Sequence, residues 1–150
     1  MKKNIGATLA LYPCPLIVVG AMVADKPTWT LVAHAGTVAH SHLMVSLVQA
    51  HYINKGIREN GKLSVNVVDA SWLKAADRMG TVSGNKVDKS DAFAWTMGEN
   101  GAPLIDDAKL QRSFQPGVHR MRGGRQLRTG ALRPLHLQNS GDLCRRERAE

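Results

Sequence analysis

The stretch Ser46-Leu47-Val48-Gln49-Ala50-His51-Tyr52-Ile53-Asn54-Lys55-Gly56-Ile57-Arg58-Glu59-Asn60-Gly61-Lys62-Leu63-Ser64-Val65-Asn66 decides how this chain is read. Residues 43–48 form a short apolar run of strand length. Residues 52–60 then carry Ile53 and Ile57 four apart, on one helical face, and stop at Gly61. Glycine most readily takes the left-handed conformation that closes a helix. Across residues 62–68, Leu63, Val65 and Val67 alternate with Lys62, Ser64 and Asn66. That period of two predicts a strand with one buried and one polar face. The unit is strand, short helix, strand.

The flanking sequence extends this pattern. Residues 16–23 are rich in β-branched side chains and end at Asp25-Lys26-Pro27, a turn signal. Residues 28–34 complete a hairpin. Downstream, residues 71–79 predict a second short helix, with Ser71 in the capping position and Gly80 as its stop. There is no regular βαβ rhythm and no strand–GxGxxG–helix unit, so a dinucleotide-binding α/β fold is unsupported. The expected fold is mainly β with short helices, a small antiparallel barrel.

The 150 residues suit one domain with a real core. The formal net charge of +8 is unevenly spread. Residues 1–110 carry nine Lys and two Arg against nine acids, whereas residues 111–150 carry nine Arg, no Lys and three acids. The body is thus close to neutral and offers no basic face for nucleic acid, which is not an expected partner. From Gln111 the chain is Arg-, Gly- and Pro-rich, with Phe114 as its one aromatic and no sustained period. The expected division is a body at 1–110 and a basic, disordered tail at 111–150. The abrupt exchange of Lys for Arg is the mark that out-of-frame translation of GC-rich DNA would leave. A divergent basic extension is the alternative, and reading the coding DNA for a restored frame decides between them.

Cys14 and Cys144 are too far apart to suggest a metal site or a disulfide framework, which fits a reducing, cytoplasmic setting. Lys2 and Lys3 before an apolar run at 5–24 give the outline of a signal peptide. Pro13 and Pro15 break the helix that such a segment needs, and a loop followed by a strand accounts for the same residues. No stretch is long and apolar enough for a membrane span. His34, His40, His42 and His51 invite a metal, but no Cys or carboxylate completes a zinc ligand set, so none is expected. No Ser-His-Asp or Cys-His arrangement stands out, and no catalytic side chain is assigned.

Four segments, in order over residues 9–110, resemble the flavin reductase-like, FMN-binding split-barrel family in its flavoredoxin-like branch. They are Leu11-Tyr12-Pro13-Cys14-Pro15, the opening stretch 46–66, Gly80-Thr81-Val82-Ser83-Gly84-Asn85-Lys86-Val87-Asp88-Lys89-Ser90, and Gly98-Glu99-Asn100-Gly101-Ala102-Pro103-Leu104-Ile105. The resemblance implies a Greek-key split β-barrel binding FMN, and a homodimer with FMN near its interface. It implies flavin reductase or flavoredoxin-like electron transfer fed by NAD(P)H or by a redox partner protein. The flavin would carry the chemistry, which agrees with the lack of a catalytic constellation. The implied cofactor-binding residues are Thr30, Leu31, Val32 and Ala33 along the ring, then Ser46 and Leu47. The helix start adds His51, Tyr52, Asn54 and Lys55, and the later loop adds Val82, Ser83, Gly84 and Lys86. The helix start has a physical reason of its own: free N–H groups and the helix dipole attract an anion, with Asn54 as a donor and Lys55 as a charge. Trp29 reads either as a flavin neighbour or as a core residue.

Relatives continue after Leu110 with strands that close the barrel. The Arg-rich segment therefore implies a barrel incomplete at its C-terminus, with exposed sheet edges. The alternative function is a non-enzymatic, degenerate split barrel whose basic tail binds nucleic acid or another anionic partner.

Overall fold

A computed structural model describes residues 13–39, 42–120 and 125–131. Residues 1–12, which hold the first part of the apolar run and the segment Leu11-Tyr12, lie outside the described residues, as do His40, Cys144 and everything after residue 131; the rest of that run holds a loop and the first strand, as expected. The chain opens with β1 (Ile17–Val23) and β2 (Lys26–Val32), an antiparallel hairpin with Val23 opposite Lys26. Its turn is Ala24-Asp25, both at positive φ (48° and 60°), the two-residue geometry whose twist matches paired strands. The turn thus falls one residue earlier than the Asp-Lys-Pro signal suggested. Pro27 lies inside β2, which stands at the edge of the sheet, where a missing N–H is tolerated.

Next come β3 (Ala35–Ala39), β4 (His42–Val48), α1 (Ile53–Asn60) and β5 (Leu63–Val67). Gly61 closes α1 as expected, at φ 63°, its N–H donating to the Ile57 carbonyl. Gly56 lets α1 sit directly on β1, because a Cβ there would collide with the Met22 carbonyl oxygen. The second helix differs from expectation. Asp69, not Ser71, is the cap, its carboxylate accepting from the Ser71 N–H at 3.0 Å. A 3-10 turn (Ala70–Trp72) then leads into α2 (Leu73–Thr81), which runs through Gly80 and packs on β2. A second 3-10 turn (Ser90–Ala92) precedes the small hairpin β6 (Trp95–Met97) and β7 (Pro103–Ile105).

Seven strands form one antiparallel sheet in the order β2-β1-β5-β8-β9-β4-β3, where β8 is Gln111–Arg120 and β9 is Arg125–Ala131. Residues 111–120 and 125–131 are thus strands, where composition suggested a structureless segment; the rest of the expected tail lies outside the described residues. The first part of β8 pairs with β5 (Leu63 opposite Phe114) and the second with β9, which continues to β4. One strand therefore joins the two halves, and the sheet is not cut off at residue 110. Composition missed this because ladder hydrogen bonds are made by the backbone, and Arg and Gly do not announce them. Phe114, the segment's one aromatic, is buried.

The sheet curls around a core of Ile17, Val19, Val32, Val45, Leu47, Val65 and Phe114, capped by Ile53 and Ile57 of α1. A second cluster lies on the outer face, where Val18 and Trp29 meet Trp72, Ala76 and Met79 of the α2 region and Ile105 of β7. Phe93 contacts Trp29 and Trp72 edge-on, at centroid distances of 5.6 and 5.4 Å. Covering both faces overturns one sequence expectation. The polar side of β5 is not solvated: Ser64 and Asn66 are fully buried. Asn66 Nδ2 donates to the Val18 carbonyl (3.0 Å) and to Ser64 Oγ (3.1 Å), while Oδ1 accepts from the Ile105 N–H (3.0 Å). Among the described residues no helix is long and apolar enough to cross a membrane.

Asn66→Ala strands the Val18 carbonyl and the Ile105 N–H in the interior. It should lower unfolding free energy by about 2–4 kcal/mol. Urea denaturation followed by tryptophan fluorescence measures this, and a loss within 0.5 kcal/mol, the scale of ordinary surface changes, would contradict it.

Candidate functional site

Three parts of the fold converge on one cavity. β2 supplies Thr28, Trp29 and Thr30; the connection from β4 into α1 supplies Ala50, His51 and Tyr52, followed by Ile53; and the end of α2 supplies Gly80 to Gly84. Lys89 completes the wall. The cavity holds about 180 Å³. A neighbour of about 380 Å³, bounded by Asn54, Lys55, Arg58 and Asn85, shares Ala50, His51 and Tyr52 with it. Small-molecule sites usually hold about 300–1,000 Å³. The first falls short of that range and the second lies within it; the two adjoin at Ala50, His51 and Tyr52 and together make a trough.

Lys89 is the residue that sequence reading missed. Its side chain is 6% exposed, and its ammonium donates to the Trp29 carbonyl (3.0 Å) and the Met79 carbonyl (2.9 Å). An ammonium has three donors, so one remains for the cavity. No carboxylate pairs with it among the described residues, and burial pushes its pKa down from the usual lysine value. Its sequence signal is its place in the segment 80–90, which also holds Lys86; which lysine turns inward is set by packing against β2 and α2.

His51 lies in both cavities. Burial, and secondarily the positive charge of Lys89, lower its pKa from the ordinary value. The loop from 83 to 90 is held by local bonds: the Ser83 carbonyl accepts from the N–H groups of Lys86 and Val87, and Asp88 Oδ1 accepts from the Ser90 N–H. Asp88 also binds Lys26 at 2.8 Å on the exposed hairpin end, which holds its carboxyl well below the usual range. Gly84 fits against Tyr52, since a Cβ there would lie 2.7 Å from Tyr52 Cδ1.

The expected site residues divide. Thr30, His51, Tyr52, Val82, Ser83 and Gly84 meet around the first cavity, and Asn54 and Lys55 border the second. Asn54 is 1% exposed, and its amide N–H groups go to the carbonyls of Val48 (2.7 Å) and Gln49 (3.4 Å). It braces the helix start rather than offering a donor. The N–H groups of Asn54 and Lys55 bond back to His51 and Tyr52, so the helix start is less open than the sequence suggested. Leu31 packs in the outer cluster, and Val32 and Leu47 are buried in the barrel core. Ala33 and Lys86 are exposed and line neither cavity, and the Ser46 N–H donates to the His34 carbonyl at 2.9 Å. Trp29 is a core residue whose edge reaches the cavity wall. Among the described residues, no cluster of three or more His, Cys, Asp or Glu could hold a metal ion.

This architecture has known counterparts. The family model described as a flavin reductase-like domain matches residues 9–114. The chain belongs to the flavin reductase-like family. Its fold is similar to that of the flavoredoxin from Methanosarcina acetivorans, with a TM-score of 0.82 and 29% identity over 89% of this chain and 74% of that one. The flavoredoxin of Desulfovibrio vulgaris (Miyazaki F) gives 0.80 and 27%, covering 93% of this chain and 78% of that one. An FMN-binding protein from Thermus thermophilus, with bound p-hydroxybenzaldehyde, shares the fold at 0.78 and 18% identity, over 89% and 77% of the two chains. None of the curated proteins matches the sequence. The split-barrel expectation holds, and the likenesses support a flavin-related oxidoreductase module.

The imidazole of His51 should titrate below about 6.5, the ordinary histidine value. Below that pH the unfolded chain takes up the proton before the folded one does, so this residue favours the fold less as pH falls. NMR of the imidazole resonances measures the titration. Lys89→Met should move the midpoint upward but not fully back, because burial, the larger cause, remains. A midpoint at or above the ordinary value in the parent protein would contradict this account.

Proposed function

We propose that this chain binds FMN in the trough and works as a flavin reductase or a flavoredoxin-like electron carrier. The observation that carries the proposal is the buried Lys89 ammonium, without a carboxylate partner among the described residues, in a cavity it shares with His51. The residues present fit such a group. The first cavity offers the ammonium of Lys89, the hydroxyls of Thr28, Thr30 and Ser83, and an imidazole whose burial favours its neutral form. The second offers Lys55 and Arg58, two cations suited to a phosphate. When bound, a flavin supplies two-electron hydride chemistry or single-electron transfer.

The chain's own residues bind and tune. The charge of Lys89 favours a ligand that becomes more negative on reduction. In its neutral form His51 has one nitrogen that donates and one that accepts. Trp29 and Ile53 make part of the wall apolar and keep water from it. Gly84 leaves room for the Tyr52 ring at the boundary of the two cavities. No side chain in the trough is required as a general acid or base.

The proposal extends to a homodimer, with NAD(P)H or a protein as electron donor, in a cytoplasmic setting. Val38 and Val48, 59% and 55% exposed, are apolar surface that a second subunit would cover. The test is direct. Purified protein mixed with FMN and gel-filtered should retain a flavin band near about 450 nm, and Lys89→Met should weaken FMN binding at least tenfold. Folded protein that passes FMN through unbound would contradict the proposal. Anaerobic NADH or NADPH bleaches the bound flavin if the chain is a reductase; if it is a carrier, only a reduced protein donor does so.

A further inference from the structure

A third cavity, of about 640 Å³, lies between α2 and the segment 87–92. It shares Lys89 with the trough and no other residue. Its apolar wall is Trp72, Ala75, Met79 and Val87. Lys74 and Arg78, four residues apart and so on one face of α2, stand along it. Neither is in an ion pair among the described residues. Of the two acids on the opposite side, Asp88 is committed to Lys26 and to the Ser90 N–H, which leaves Asp91.

Lys89, 94% buried and with two of its donors on backbone carbonyls, adds a third cation where this cavity meets the trough. The cavity is within the range of small-molecule sites and combines an aromatic, apolar wall with three cations.

From this we infer a second ligand site, separate from the trough, that takes a flat aromatic carboxylate. The ring lies along Trp72, Met79 and Val87, and the carboxylate meets Lys74 and Arg78. The inference does not depend on the FMN proposal, because the two cavities meet only at Lys89.

The probe is 2-naphthoate, titrated calorimetrically into the full chain, with 2-naphthamide as its uncharged counterpart. One saturable site is expected, with the amide at least tenfold weaker. The double variant Lys74→Gln/Arg78→Gln should bind naphthoate at least tenfold more weakly while keeping the parent circular dichroism spectrum. Ala75→Leu, which fills the cavity without changing charge, should weaken binding as well. Naphthoate should leave FMN affinity unchanged. Equal binding of acid and amide, no effect of the charge variants, or competition between naphthoate and FMN would each overturn the assignment, as would the absence of saturable binding.

Discussion

Asn66 has no exposed surface, yet it is a primary amide placed between two hydrophobic clusters. It is tolerated because each of its polar groups is paired: Nδ2 with β1 and with Ser64, Oδ1 with β7. That pairing lets β5 be covered on both sides. The barrel core fills one face, and the β6–β7 hairpin and the α2 region cover the other. With β1 and β5 held this way, β2 is fixed at one edge and β8 on the other side. Gly20 belongs to the same arrangement: a Cβ there would collide with the Trp29 ring and lie 2.6 Å from Ser64 Oγ.

The outer cluster has a functional consequence. To bury Trp29, α2 must pack on β2, and this brings the Met79 carbonyl close to the Trp29 carbonyl. The Lys89 ammonium sits between them and bridges helix to strand. A cation is thereby placed where two cavities meet, with His51 close enough for its charge to oppose protonation of the imidazole. The Lys26–Asp88 pair ties the hairpin end to the same loop, although it is exposed and salt would weaken it. Stability and site chemistry thus run through one residue. Its replacement should affect both, and the conservative Lys89→Arg keeps the charge but has a planar fork in place of a compact ammonium.

Much of the fold was legible in the sequence. Ile53, Ile57 and Gly61 marked α1 because helix periodicity and a left-handed closing residue are local properties. The runs of β-branched residues marked β1 and β2 for the same reason. What was not legible depended on partners distant in sequence. Alternation along β5 is the pattern of a strand with one wet face, and only the packing of β7 shows that Ser64 and Asn66 are dry. In β8 the pairing of Leu63 with Phe114 is a long-range event with no local signature. Among the expected site residues, His51, Tyr52, Ser83 and Gly84 come from distinctive segments and line one cavity. Leu31, Val32 and Leu47 were named along strands whose side chains turn into the cores. Lys89 was passed over because a lysine in a charged segment reads as solvated until the two carbonyls facing it are known.

The central claim is that a flavin occupies the trough between β2, the start of α1 and the end of α2, next to Lys89. Amide NMR of labelled protein with and without FMN tests it residue by residue. The account predicts shifts concentrated at Thr30, His51, Tyr52, Ser83 and Gly84, with the Lys89 side chain perturbed. Shifts confined to the β6–β7 hairpin or to the α2 cavity, or an unchanged spectrum at saturating FMN, would contradict it.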